Sequence, residues 1–357
     1  MATSHAHDHD GACRLDRDAG EQVADRLDAI GRLEDVDVDG ARALVRAEPV
    51  LNPNRAPGGP TRTKTIQNDY QAEFYRRWRR VRGLIRETVY ANDALGLRDD
   101  EDESPTGLEV NDGDPDWWRD YVADRRAGAI NATPVNDFDF EQDGEKIDAF
   151  LDWLQGVFDD EVLEVRRRTP DGNVADREPW QNVYVNRAYE RGLKFANQRL
   201  REAGVDVEAI DASDAFARPI HAETLSRLYT RNFRELEGIT AEVSQQISRR
   251  LTEGLAKGWN PRKTADKLND RVDKVGYTRS KTLARTETIY AHSEAALDRY
   301  ESQGTDEVAG KAEWLTAEDD QVCEICEGLE GQVYAIDEAR GLIPIHPNCR
   351  CTWLPVV

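Results

Sequence analysis

Five residues near the C-terminal end carry the side chains best suited to chemistry. Cys323 and Cys326 are separated by two residues, and His346, Cys349 and Cys351 follow in one short run. Two thiols at that spacing can grip one tetrahedral metal ion from a tight turn, provided a second pair arrives from a distant loop. Zinc accepts thiolate and imidazole together at about 2.0–2.3 Å, and a site closed by four protein ligands is structural. Five candidates compete for four places. His346 with Cys349 repeats the spacing of the first pair, so the preferred set is Cys323, Cys326, His346 and Cys349. Cys351 is the alternative to His346, because residues two apart in an extended segment point to the same side. Clustered cysteines beside a histidine in a cytosolic chain point to metal rather than to disulfides. The reading without metal is a set of buried or paired thiols. Cys13, the fifth cysteine, stands apart near the N-terminus.

These residues need a frame, and most of the chain reads as helix. Ile66, Tyr70, Phe74, Trp78, Val81 and Ile85 recur at steps of three or four and predict a helix over 66–91. Similar patterns predict helices over 14–31 and 145–168, and one from Pro179 to Gly204. Pro219 opens another, which Gly238 should end. Thr240 then caps a helix carrying Val243, Ile247, Leu251 and Leu255 up to Gly258. Asn260 and Pro261 start the next, and 278–300 is a long Ala-rich helix. Breaks fall at Asn52-Pro53-Asn54, at 56–60, across the acidic stretch 98–116, and at the turn Pro170-Asp171-Gly172. Short strands are expected at 313–316, 333–334 and 352–356. The fold class is mainly α, with a multi-helix N-terminal and central region and a small C-terminal α+β module stapled by metal. The expected division is a flexible segment and linker over 1–65, a helical domain over 66–218, and a domain over 219–357 whose Cys/His module occupies 313–357.

The 357-residue chain carries 48 basic and 70 acidic residues, a net charge of −22. Only nine of the basic residues are Lys. Acidity spread along the whole chain, with Lys scarce, reads as adaptation to molar salt, where a Debye length of about 3 Å makes surface repulsion weak. An ordinary acidic surface is the alternative. The charge opposes non-specific binding to DNA, which rests on neutralising phosphates. The most basic stretch, Arg76 to Arg86, reads as a face paired with the chain's own carboxylates, against the alternative of an acidic partner. No run of apolar residues is long enough to span a membrane, and no signal peptide is read at the start. Synthesis in a host cytoplasm is expected. His5, His7 and His9 read as a solvated start rather than a metal site.

One combination is distinctive. Gly258-Trp259-Asn260-Pro261, Leu283-Ala284-Arg285-Thr286-Glu287, Trp314, Asp320, Cys323-x-x-Cys326, Gly331 and His346-Pro347-Asn348-Cys349-Arg350-Cys351 together resemble the phage Mu F-like head morphogenesis family. The resemblance covers roughly the C-terminal third. It implies a minor head protein inside the virion near the portal vertex, with the portal protein, the major capsid protein and packaged DNA as partners, and no membrane. The acidity resembles that of haloarchaeal proteins, which would place the virus in such a host. Some relatives carry a toxin or enzyme domain after the module, and none is expected here. Arg285 and Glu287, two apart on a helix, do not face each other. The expected role of the Arg285-Thr286-Glu287 motif is structural, with Arg285 bonding carbonyls of the metal unit. No catalytic residue is assigned. The competing readings are a zinc hydrolase, which needs an open metal position, and a DNA-binding module acting in assembly.

Overall fold

The computed structural model describes residues 59–98, 108–135, 137–138, 142–164, 179–207, 218–304 and 310–357, with the backbone of four short strand segments. The protein is mainly helical, with a three-stranded antiparallel sheet near its C-terminal end. The main helices are α1 (Lys64–Arg86), α2 (Asp116–Arg126), α3 (Asp143–Val157), α4 (Asn182–Glu202), α5 (Pro219–Ala256), α6 (Pro261–Arg271) and α7 (Thr278–Glu301). Two small ladders pair β1 (Ala6–His7) with β2 (Cys13–Arg14), and β3 (Arg166–Arg168) with β4 (Val174–Asp176). The sheet runs β6 (Val333–Ala335), β5 (Lys311–Leu315), β7 (Thr352–Pro355), with one-turn helices α8 (Glu324–Glu327) and α9 (Ile336–Ala339) between strands. The helix expected over 14–31, most of the 52–60 linker and the turn at 170–172 lie outside the described residues.

The chain packs as two compact units, each discontinuous in sequence. One comprises Met1–Tyr70, Gln181–Asn232 and Thr282–Val357; the other comprises Gln71–Trp180 and Phe233–Lys281.

The first unit holds the Cys/His residues. Its core joins Phe195, Ala196 and Leu200 of α4 and Ile289, Ala296 and Leu297 of α7 to Trp314, Tyr334 and Trp353 of the sheet. Trp314 and Trp353 are register partners on β5 and β7, with ring centroids 5.2 Å apart at a steep angle, and Tyr300 donates its hydroxyl to the Trp353 carbonyl at 2.9 Å. Helices α4 and α7 approach closely at Gly192, where an added Cβ would stand 2.3 Å from the His292 carbonyl.

In the second unit Trp78 of α1 is fully buried, donates to Ser280 at 2.8 Å and packs edge-on against Phe158. Buried Glu161 accepts the backbone N–H groups of Asn131 and Ala132, fixing that loop by its charge.

Several helix boundaries differ from expectation. Gly238 does not end a helix: α5 runs unbroken for 38 residues, and Thr240 turns its hydroxyl back to the Glu237 carbonyl instead of capping. A glycine costs only about 1 kcal/mol inside a helix, less than the burial of Leu236, Ile239 and Val243 around it returns. The third helix does not reach residue 168. It closes through a π-helical turn, Phe158–Leu163, and Glu164 at φ 53 reverses the chain before β3. Pro179 precedes α4, which begins three residues later at Asn182. Similar π turns extend α1 over Glu87–Ala91 and join α6 to α7 over Val272–Tyr277. Asn260 does cap α6, accepting from the Lys263 N–H at 2.9 Å.

Two glycines should respond oppositely to alanine. Nothing lies within 4 Å of a Cβ added at Gly238, so Gly238→Ala should stabilise by about 0.5–1 kcal/mol through helix propensity. Gly192→Ala drives a methyl into backbone and should destabilise by about 2–3 kcal/mol. Thermal melts of the two variants moving the same way would contradict this packing.

Candidate metal centre

Two limbs bring the sulfur and imidazole donors together. In the first, Cys323 occupies the extended position just before the single turn of α8, and Cys326 lies inside it. The Glu327 N–H closes that turn on the Cys323 carbonyl at 2.9 Å. In the second, His346-Pro347-Asn348-Cys349 folds into a tight turn. Asn348 takes φ 62, and the Cys349 N–H donates to the His346 carbonyl at 3.2 Å. Asparagine tolerates this left-handed conformation better than most residues. Cys351 follows immediately before β7.

The donors converge as two overlapping trios, Cys323–Cys326–His346 and Cys326–Cys349–Cys351, whose ligand atoms lie within 4.8 Å of one another in each. His346 Nε2 stands 3.1 Å from both Cys323 Sγ and Cys326 Sγ, and Cys326 Sγ stands 3.9 Å from Cys349 Sγ. The edge of a tetrahedron of sulfurs around zinc at about 2.3 Å is about 3.8 Å, so the 3.9 Å Cys326–Cys349 separation suits shared coordination. All four cysteines are free thiols. All five candidates fall in these two trios, but the preferred four, Cys323, Cys326, His346 and Cys349, do not lie in a single one. Cys349 shares its trio with Cys326 and Cys351, and Cys326 belongs to both.

The electrostatics of the cluster would suit a cation. Cys323 is pulled down to about 4, chiefly by the hydrogen bond from Cys326 and then by His346, against the opposing effect of burial. Burial resists ionisation of Cys349, but hydrogen bonds from Cys326 and Cys351 hold it well below the usual thiol range. Cys326 is pushed up chiefly by its hydrogen bonds to Cys323 and Cys349, and Cys351 chiefly by burial. Burial would lower His346, but the neighbouring Cys323 and Cys349 sulfurs carry it up to about 9. Four thiols cannot ionise together in one buried space unless a positive ion sits among them. A divalent metal held here would displace protons from the thiols that bind it. The His346 ring is oriented to receive it. Its Nδ1 lies 2.8 Å from the Pro347 carbonyl, which leaves Nε2 facing the sulfurs. The residues thus fit zinc, with five donors for four places.

Neighbouring charges brace the two limbs. Arg350, between Cys349 and Cys351, forms a two-pronged ion pair with Asp319 at the turn before Cys323. A second network lies on α7. Buried Asp298 accepts from Tyr189 and, at 2.7 Å, from Arg340, while His221 Nδ1 lies 2.7 Å from the Tyr189 hydroxyl. Arg340 also meets Glu301 and Glu294, and Glu294 accepts the Gly341 N–H at 2.9 Å. Arg340 belongs to the segment that follows α9, so this clasp holds the C-terminal module to α7. Sequence reasoning missed both networks. The lone Arg350 inside the cysteine run was a usable signal; Asp298 and Arg340 gave none.

The motif residues occupy distinct places. Glu287 is buried and accepts from Arg231 Nε at 3.1 and 3.2 Å. Thr286 Oγ1 lies 3.4 Å from the Asn348 N–H. Arg285 does reach the metal limb, but at the Asn348 side-chain oxygen rather than at backbone carbonyls. That contact is 3.5 Å long, the limit of a hydrogen bond.

The basic stretch of α1 is neutralised inside its own unit. Arg76 and Arg77 pair with Glu73, Arg77 also with Glu164 at 3.0 Å, and Arg79 with Asp120 and Asp124. Arg80 meets Asp124 and Glu161, Arg82 meets Asp273 at 2.8 Å, and Arg86 meets Asp114. Arg77 and Arg82 also stack on Trp180 and Trp117. Among the described residues no helix is long and apolar enough to cross a membrane.

Residues 245–354 match the sequence profile of the family described as Phage Mu protein F like protein. The matched segment includes the Arg285-Thr286-Glu287 helix and all five metal-ligand candidates. No curated protein and no solved structure matches the chain.

Cys326, shared by both trios, should be indispensable. Cys326→Ser should abolish stoichiometric metal and cost more than about 3 kcal/mol of stability. One tightly held zinc ion per chain in that variant, seen by native mass spectrometry, would refute the arrangement. Metal affinity should also fall with pH, since the ligands must lose protons to bind.

For Asp298, burial alone would raise the carboxyl. Hydrogen bonds from His221 and Tyr189, with the Arg340 charge, hold it below the ordinary range. Its stabilising contribution is therefore complete above the unfolded value of about 3.9 and is lost as pH falls through the lower folded value. Asp298→Asn should cost roughly 3 kcal/mol at neutral pH and flatten the acid limb of stability against pH. An unchanged limb in urea titrations would show that the clasp contributes nothing.

Proposed function

We propose that this chain is a minor head protein of a tailed virus, acting in head assembly near the portal, with its C-terminal module held by a structural zinc ion. The observation that carries the reading is where the family match falls. The segment matching the Mu F-like family, residues 245–354, contains the whole Cys/His cluster and the helix beside it.

Zinc bound there would cross-link the two limbs and neutralise their thiolates. Cys323, Cys326 and His346 converge in one trio and Cys326, Cys349 and Cys351 in the other; a small adjustment bringing Cys349 to the first trio would complete a four-ligand set, with Cys351 as the alternative ligand. With four protein ligands the metal keeps no open position, which favours a staple over a hydrolase. The helical remainder of the chain supplies the surface for the portal protein or the major capsid protein. Packaged DNA is a lesser partner, because the net charge of −22 opposes it and the arginines of α1 are already paired with carboxylates. The acidity and the scarcity of Lys support a virus of a halophilic host.

Co-expression with the portal protein of the same virus, in molar salt, tests the assignment. The two should co-purify as a defined complex, and the chain should be present in low copy in assembled heads. Its absence from immature and mature heads alike would sink the proposal.

A further inference from the structure

The Arg285-Thr286-Glu287 triplet leaves one of its members unsatisfied. Glu287 is committed to Arg231, and Thr286 faces the Asn348 backbone. Arg285 is half-buried, yet among the described residues no carboxylate lies within ion-pair distance of it. Its contact is the Asn348 side-chain oxygen at 3.5 Å, and its Nε is buried without an acceptor. Burial depresses its basicity with no acidic group opposing. A guanidinium cannot shed its charge to escape this position, and it offers five N–H donors in a rigid fork.

The contrast within the same unit is sharp. Arg231 is held by Glu287, Arg340 by Asp298 and Arg350 by Asp319. In a chain with 70 acidic residues, a half-buried arginine that none of the described ones neutralises is a cost to folding. Such costs persist where a site awaits a partner.

We infer that Arg285 anchors a docking site, beside the metal limb, for a carboxylate side chain of a protein partner. The planar fork matches a carboxylate with two parallel bonds. Phosphate of a nucleic acid fits less well. A polyanion is bound through several cations at once, and Arg231, Arg340 and Arg350 of this unit are already spent on internal carboxylates. The inference rests on the surroundings of Arg285 alone and stands whether or not the chain is a head protein.

The test uses the full-length, zinc-loaded chain with nitrogen-15 label, titrated at the lowest salt concentration at which its melt shows it folded, with a tetraglutamate peptide and, separately, with a short DNA duplex. The Arg285 Nε–H signal should move saturably with the peptide. Arg285→Lys should weaken the peptide affinity by roughly tenfold or more, since an ammonium lacks the fork. Arg285→Met should keep full zinc content and melt at the same temperature or higher. Three results would overturn the inference: no movement of the Arg285 signal with the peptide, a melting temperature several degrees lower in Arg285→Met, which makes the residue an internal brace, or a response to the duplex at lower concentration than to the peptide, which makes phosphate the ligand.

Discussion

Four thiols and an imidazole crowded into one buried spot set a constraint that the surrounding structure must meet. Separations of 3.1 and 3.9 Å are too short for independent ionised groups and too long for covalent bonds. Protons alone resolve this incompletely, since Cys323 and Cys349 ionise only by leaving Cys326 and Cys351 protonated. A divalent ion would let more of the thiols ionise. The close approach of the donors also requires that the two limbs be held at a fixed distance. Three devices do this: the single turn of α8, the left-handed turn at Asn348, and the Arg350–Asp319 pair that joins the limbs.

The sheet that carries the centre is small. Its strands have three to five residues, and sheets of that size are marginal without a helical layer. Trp314, Tyr334 and Trp353 give it one thick apolar face, and α4 and α7 cover that face. The Asp298–Arg340 clasp adds a polar tie with a different distance dependence. Apolar packing tolerates small slides, whereas a buried ion pair with a fixed fork does not. Together they fix the position of the segment leading from α9 to His346, and so the placement of the second limb.

That Cys323, Cys326, His346, Cys349 and Cys351 come together was legible because they stand in two tight local groups, whose residue types and spacing suit a shared site. The helices were legible from their periodic apolar faces; Ile66, Tyr70, Phe74 and Trp78 are all buried as the pattern requires. Boundaries were less legible. Gly238 reads as a stop, yet the apolar spacing on both sides continues in phase, and packing outweighs the propensity cost. The π turns at 87–91, 158–163 and 272–277 are invisible to a pattern built on 3.6 residues per turn. The pairing of the α1 arginines with carboxylates could be anticipated from composition, but the particular partners could not. Asp298 finds Arg340 and Tyr189 across 42 and 109 positions of sequence, and no local pattern encodes that.

The matched family segment is not self-sufficient in this structure. It begins at residue 245, inside α5, and ends at 354 in β7. Yet Phe195, Ala196 and Leu200, which cover the inner face of its sheet, belong to α4, well before the match begins. Tyr189 and His221, which complete the polar network around Asp298, also precede it. The close approach of Gly192 to the His292 carbonyl shows how tightly that outside helix is fitted to the inside one. Residues 182–207 therefore act as part of the same folding unit as the metal module, although the family profile does not extend over them. The matched chemistry and the completed core have different boundaries here, because ligands need only one another while a sheet face needs whatever helix covers it.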